Sequence, residues 1–305
     1  QSALANQSGS TSNNTAVGYN SLGANQTGEH NTGIGQASLV TLTTGDQNTA
    51  VGSFSLQAAT TGEYNVAMGY NALGANTTAS NNTGLGYRAL EANTTGAENV
   101  AVGTGSLDAN TTGGANTAVG MGALGANTTA NNNTAVGRSA MLSNTTGEQN
   151  TGLGRLSLKE NTTGDNNTGV GYGALHDNQT ADKGTAVGSF VLHKTTGSFN
   201  TGIGYAAGFE LTTGSNNTLL GHKAGRDSSP SGNLTTQSNI VCLGDNNVSS
   251  LFCADTSISS SDSRDKTDVT SFNIGLDWIK ALRPVTYRWD RRTWYGTDAE
   301  PFGTP

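Results

Sequence analysis

The chain has 305 residues, a formal net charge of −7 and only 12% charged residues. This acidic balance argues against nucleic acid as a partner, because binding to phosphates needs clustered Lys and Arg. No apolar run approaches the roughly 18–20 residues of a membrane-spanning helix, so no membrane insertion is expected. No signal peptide is visible. The opening residues, QSALANQSG, look like the middle of a repeat, and we expect the natural N-terminus to lie upstream.

A repeat of 17 residues runs through most of the chain, and such a period indicates a repeat architecture. The unit reads N-T-A/G-V-G-Y-x-A-L-x-x-N-T-T-G-x-x, and its positions are numbered here from 1 at the first Asn. A weaker copy, NIVCLG, follows a longer insert and starts at Asn239. Position 1 of the thirteen clear copies falls at Asn14, Asn31, Asn48, Asn65, Asn82, Asn99, Asn116, Asn133, Asn150, Asn167, Gly184, Asn200 and Asn217.

Three positions of the unit predict the architecture. Position 4 is always aliphatic or Met, position 5 is always Gly, and position 9 is usually Leu. A helix is disfavoured because each of the two or three glycines would weaken it by about 1 kcal/mol. Short β-branched segments closed by Gly instead favour an all-β parallel β-roll or β-helix solenoid of 17-residue coils. We expect the position-4 row to be buried throughout: Val17, Ile34, Val51, Met68, Leu85, Val102, Val119, Val136, Leu153, Val170, Val187, Ile203 and Leu220.

The repeated Asn of position 1 also has a predicted role. Asn tolerates left-handed backbone geometry at corners, and stacked amides can bond from coil to coil. The N-T-T-G run, as at Asn161 to Gly164, is expected to form a second corner with a Thr ladder. The same triplets match the glycosylation sequon, a match that the biased composition of the repeat explains without any glycan.

Each coil supplies only about two large apolar side chains, so a single thin coil would be poorly closed. We therefore predict association around a shared apolar axis formed by the position-4 row, with a homotrimer as the expected form. The N-T-A-V-G units resemble the left-handed parallel β-roll repeats in the heads of trimeric autotransporter adhesins. They resemble the related repeats of phage tail fibres even more. The resemblance covers residues 14 to about 245, although the autotransporter unit is shorter than 17 residues.

The composition changes abruptly near residue 250, where the period ends. All three Trp and three of the four Pro lie beyond residue 261. Phe272, Leu276 and Ile279 have helical spacing, and residues 285–289 alternate as a strand would. The predicted division is a repetitive shaft at 1–248, a linker at 249–261 and the beginning of a small α+β domain at 262–305.

Two blocks of this last segment resemble the C-terminal intramolecular chaperone of phage tailspikes, tail fibres and endosialidases. The blocks are S-D-S-R-D-K at Ser261 to Lys266 and L-R-P-V-T-Y-R-W at Leu282 to Trp289. The resemblance implies a domain that trimerises, templates folding of the preceding fibre and then cuts itself off. About 44 residues follow the implied cut, so we expect this domain to be truncated.

The implied catalytic residues are a Ser–Lys dyad of Ser261 and Lys266, with scission between Ser261 and Asp262. A general-base Lys must be neutral, which requires burial that lowers its pKa. Ser261 attacking its own carbonyl would close a four-membered ring, so attack across subunits or a water activated by Lys266 is easier to accept. Asp265 stands where the family commonly has an apolar residue. The alternative interpretation is a polar linker with a solvated Lys.

The cysteines and histidines show no pattern of a catalytic or metal-binding site. Cys242 and Cys253 are favoured as buried free thiols, with a disulfide as the alternative. His30, His176, His193 and His222 are interpreted as scattered, solvated surface residues. No cofactor and no metal site is expected.

The leading hypothesis is a structural, host-attachment fibre of a phage, located in the virion or at an extracellular surface. Its expected partners are two further copies of the chain and a host cell-surface receptor, for which a glycan is one option. A bacterial trimeric surface adhesin is the alternative. An ice-binding solenoid would need a flat Thr face, and tyrosines at position 6 argue against one: Tyr19, Tyr70, Tyr87 and Tyr172.

Overall fold

The chain divides into two units, Gln1–Ser250 and Leu251–Pro305, and the computed structural model describes residues 13–250. Fourteen three-residue strands, one per coil, pair in parallel and in chain order to form one sheet. The predicted all-β solenoid is therefore confirmed. Across residues 13–250 there is no helix, and so none that could span a membrane. The strands are β1 Thr15–Val17, β2 Thr32–Ile34, β3 Thr49–Val51, β4 Val66–Met68, β5 Thr83–Leu85, β6 Val100–Val102, β7 Thr117–Val119, β8 Thr134–Val136, β9 Thr151–Leu153, β10 Thr168–Val170, β11 Thr185–Val187, β12 Thr201–Ile203, β13 Thr218–Leu220 and β14 Val241–Leu243.

The pairing register follows the repeat, with one correction at its end. β13 pairs with β14 so that Thr218 lies opposite Val241. The backbone N–H of Ile240 donates to Asn217 Oδ1 at 2.9 Å, which is the bond that position 1 makes in other coils. Asn239 has a φ of 63°, like residues at position 17. The last coil therefore begins at Ile240, and the start predicted at Asn239 is wrong by one residue.

The interior of the solenoid is lined by positions 3 and 9, and the predicted burial of position 4 is wrong in the single chain. Leu at position 9 is fully buried in nearly every coil, and Ala at position 3 is fully buried in every coil after the first. At position 4, Val51 and Val102 are half-buried and Val136 is 38% exposed. Side chains alternate across a strand, so an inward position 3 turns positions 2 and 4 outward.

The small residue at position 3 follows from the width of the coil. A Cβ added at Gly84 would lie 3.3 Å from Cγ of Leu73, the position-9 side chain of the preceding coil. Gly169 and Leu158 repeat the same approach at 3.3 Å. Since Leu already fills the interior, only Ala or Gly fits beside it, and the larger aliphatic residue is left outside.

The Gly at position 5 is required by both backbone angle and space. Its φ lies between 111° and 141° in the clear copies, in the region that disfavours side chains. A Cβ at Gly120 would lie 2.6 Å from backbone atoms of Gly137 in the next coil. Any other residue at this position would force neighbouring coils apart.

Two ladders of buried Asn join the coils, as predicted for position 1. Asn48 Nδ2 donates to Asn31 Oδ1 at 3.1 Å, and the backbone N–H of Asn48 donates to the same oxygen at 2.9 Å. A second ladder at position 12 joins Asn93 to Asn76 at 2.9 Å and continues to Asn178. The left-handed backbone expected for the position-1 Asn occurs instead at positions 7, 9 and 17.

Asn116→Ala should destabilise the solenoid far more than a surface change does. The Asn116 side chain donates to Ala130 O at 2.8 Å and accepts from the backbone N–H of Asn133 at 3.0 Å. Leaving two buried groups unpaired costs about 1–3 kcal/mol each. Thermal or denaturant unfolding should show this loss, whereas exposed Thr129→Ala should stay near wild type. Equal stability of the two variants would contradict the proposed contribution of the ladder.

The predicted Thr ladder is confirmed at position 13. Thr94 Oγ1 donates to Thr111 O at 2.9 Å, and Thr111 Oγ1 donates to Thr128 O at 3.0 Å. The Asn of each N-T-T sequon is the buried position-12 Asn, whose Nδ2 already donates within the ladder. In the folded coil, this amide nitrogen is not accessible to a glycan-transferring enzyme.

Candidate functional site

The outer face of the sheet is an uncharged strip along the shaft. Position 2 is Thr or Val and position 4 is aliphatic or Met in all fourteen described coils. Position-4 side chains are exposed or half-buried, from 56% at Val17 to intermediate values at Val119 and Leu220. Contiguous apolar surface of this kind marks an interaction site. We call positions 2 and 4 of the fourteen coils the outer strip.

Aromatic side chains at positions 6 and 7 border the outer strip in two groups. In the first, Tyr70 stacks on Tyr87 with ring centroids 5.7 Å apart, and Phe54 meets Tyr70 edge-on at 5.7 Å. In the second, Tyr172 meets Phe190 edge-on at 4.9 Å. These rings extend the apolar surface beyond the strip itself.

A column of flat side chains stands at position 10 of four successive coils. The rings of His176 and His193 are parallel within 3°, with centroids 4.7 Å apart. Phe209 stacks on His193 at 5.0 Å, and the guanidinium of Arg226 lies 5.2 Å from the Phe209 ring centre. The column continues the coil-to-coil stacking of the backbone, because the spacing of the rings is close to that of adjacent strands.

Asp177 brings a carboxylate against both histidines. Its Oδ1 lies 2.6 Å from His176 Nδ1, and its Oδ2 lies 3.9 Å from His193 Nδ1. His193 Nδ1 is buried and has no hydrogen-bond partner. Burial, reinforced by the charge of His176, lowers the pKa of His193, which favours its neutral form.

The interpretation of the histidines as scattered surface residues holds for exposed His30 and His222 and is wrong for His176 and His193. His176 and His193 are each 19% exposed and lie together. His222 Nδ1 lies 2.9 Å from Asp245 Oδ2, and this hydrogen bond lowers the pKa of Asp245. The signal in the sequence was their spacing, because residues 176 and 193 are one 17-residue period apart.

The other predicted site residues lie at the end of the shaft or beyond it. Cys242 is a buried free thiol at position 3, with its Sγ 2.9 Å from Ser229 Oγ. Cys253 lies outside the described residues. So do Ser261 and Lys266, and their roles stay predictions.

Residues 261–302 match a family model described as the chaperone of endosialidase, an autoproteolytic C-terminal domain of phage tail fibres. This match confirms the resemblance drawn from the SDSRDK and LRPVTYRW blocks. Neither a curated protein nor a solved structure gave a significant match. The chaperone domain and the β-solenoid together fit a phage tail fibre.

Proposed function

We propose that this chain forms part of the shaft of a homotrimeric phage tail fibre that attaches the virion to its host. The family match at residues 261–302 carries the proposal, because that chaperone family is associated with trimeric fibres. A chaperone domain directly after a solenoid is in the right place to template it.

The trimer is proposed to form along the outer strip. The strip is continuous over fourteen coils and carries no charged side chain at positions 2 and 4. Burying apolar surface contributes roughly 25 cal/mol per Å², so a strip of this length provides a sustained driving force. Position 4, exposed in one chain, becomes the shared apolar axis in three.

The chaperone segment is proposed to guide this association and then to leave by self-cleavage. Ser261 and Lys266 are the proposed dyad, with scission between Ser261 and Asp262. Attack on the chain of a neighbouring subunit, or by a water that Lys266 activates, avoids the four-membered ring of a direct attack. Either route needs Lys266 to lose its proton to act as a base.

The experiment that tests the function is the mass of the mature chain together with its state of association. Size-exclusion chromatography with light scattering should give three times the mass of one chain. Mass spectrometry of the denatured protein should give a chain ending near Ser261. A folded, stable monomer would refute the trimer.

A further inference from the structure

We propose that His176, Asp177 and His193 form a binding site for a divalent transition-metal ion of the zinc class. One ligand atom from each residue lies within 4.8 Å of the other two. The site would join two successive coils through two imidazoles and one carboxylate. It is independent of the proposed fibre function.

The donor set suits such an ion. Neutral imidazole and carboxylate are ordinary zinc ligands at roughly 2.0–2.2 Å, and imidazole also suits cobalt, nickel and copper. Both histidines present Nδ1 to Asp177, which lies 2.6 Å from one ring and 3.9 Å from the other. Three protein ligands leave a fourth position open to water.

The unpartnered nitrogen of His193 is the strongest indication of a ligand. A buried polar atom normally has a hydrogen-bond partner, and each exception requires a physical explanation. His193 Nδ1 is such an exception, although the ring is held in place by stacking on His176 and Phe209. A metal ion would accept the lone pair that this nitrogen leaves unused.

Closing the site requires the two rings and the carboxylate to rearrange, because parallel rings 4.7 Å apart do not direct both lone pairs at one ion. The Asp177 carboxylate would turn from its hydrogen bond with His176 towards the ion, and the parallel rings would tilt together. His176 would bind as the tautomer that carries its proton on Nε2, which leaves Nδ1 free for the ion. Lys194, the nearest cation in sequence, is paired with Glu210 at 2.7 Å.

The place of the site in the solenoid gives it a structural role. The position-12 Asn ladder ends at Asn178, because position 12 of the next coil is Thr195. That coil is one residue shorter than the others. His176 and Asp177 directly precede Asn178, and His193 lies two residues before Thr195. The ion would therefore link coils where the amide ladder stops.

Titration with cobalt(II) tests the site in the full, untagged chain after treatment with a chelator. One ion per chain should bind and give a visible d–d absorption band without the charge-transfer band of a thiolate ligand. The absence of the thiolate charge-transfer band distinguishes binding at this site from binding at a cysteine. Zinc should displace the cobalt and remove the visible band.

Three variants locate the ion. His176→Gln and Asp177→Asn should each weaken binding by at least about tenfold. Changing a residue that only hydrogen-bonds to a metal ligand typically weakens metal binding by roughly tenfold to 100-fold, and loss of the ligand itself should cost more. His30→Gln, at an exposed histidine outside the cluster, should bind as wild type does. Circular dichroism of each variant establishes whether it folds. Asp177→Asn removes neither of the stacked rings, so it still tests the site if His176→Gln does not fold. Absence of a one-to-one cobalt complex, or equal loss in His30→Gln, would overturn the proposal.

Discussion

Val102→Asp combined with Val119→Asp should prevent the shaft from assembling as a trimer. Both residues occupy position 4 on adjacent strands, β6 and β7, and both are half-buried in the single chain. In the proposed trimer, each would place three carboxylates around the shared axis. The effective penalty for removing an unpaired charge from water is several kcal/mol per ion. The penalty for two layers of such charges should exceed the stabilisation that apolar contacts provide at these two coils. Light scattering should then report monomers or aggregates in place of trimers.

The matched control is Thr112→Asp combined with Thr129→Asp. These threonines lie on the same two coils, are exposed and are at position 14, away from the outer strip. The control adds the same charge to the same coils, so it should remain a trimer. If the valine variant also remains a trimer, the interface lies elsewhere on the solenoid.

Ser261→Ala or Lys266→Ala should leave the chain at full length, whereas wild type should yield a fragment ending near Ser261. The proposed dyad needs a hydroxyl and a neutral amine, so loss of either group should stop the reaction. Lys266→Arg should also be inactive, because Arg keeps its charge and cannot serve as the base. A denaturing gel and the intact mass distinguish the products. Folding of the repeats should survive these changes, since templating does not require scission.

Ser263→Ala is the control, because Ser263 lies in the same polar block but outside the proposed dyad. It should be processed as wild type is. Equal processing of wild type and Lys266→Ala would remove the dyad from consideration. Once cut, the fibre should resist unfolding kinetically, because the segment that guides folding has gone.

The repeat predicted the solenoid because its period defines the coil, whereas the side of the strand that faces inward could not be read from three residues. Position 4 carries a larger apolar side chain than position 3, and its size suggested that position 4 is buried. The deciding contact is between coils: Leu73 fills the space into which a side chain at Gly84 would project. Such a contact joins positions 9 and 3 of different repeats, and the sequence of one unit does not reveal it.

The same limit explains the histidine cluster. His176 and His193 occupy position 10, where the repeat has no consensus, so neither stands out from the pattern. Stacking turns a separation of 17 residues into ring contact at 4.7 Å. In a solenoid, chemically similar residues one period apart are spatial neighbours, and a search for sites should use that spacing.

The in-register ladders make the length of the shaft adjustable. Each Asn of position 1 bonds to its counterpart 17 residues away, and each strand pairs only with the strands before and after it. Removing one whole unit would bring the next counterpart into the same place and restore the strand pairing and the position-1 Asn ladder across the junction. A change of any other length must be absorbed at a corner, as in the short coil around Thr195. Gain or loss of complete repeats can therefore alter the length of the solenoid while its cross-section stays the same.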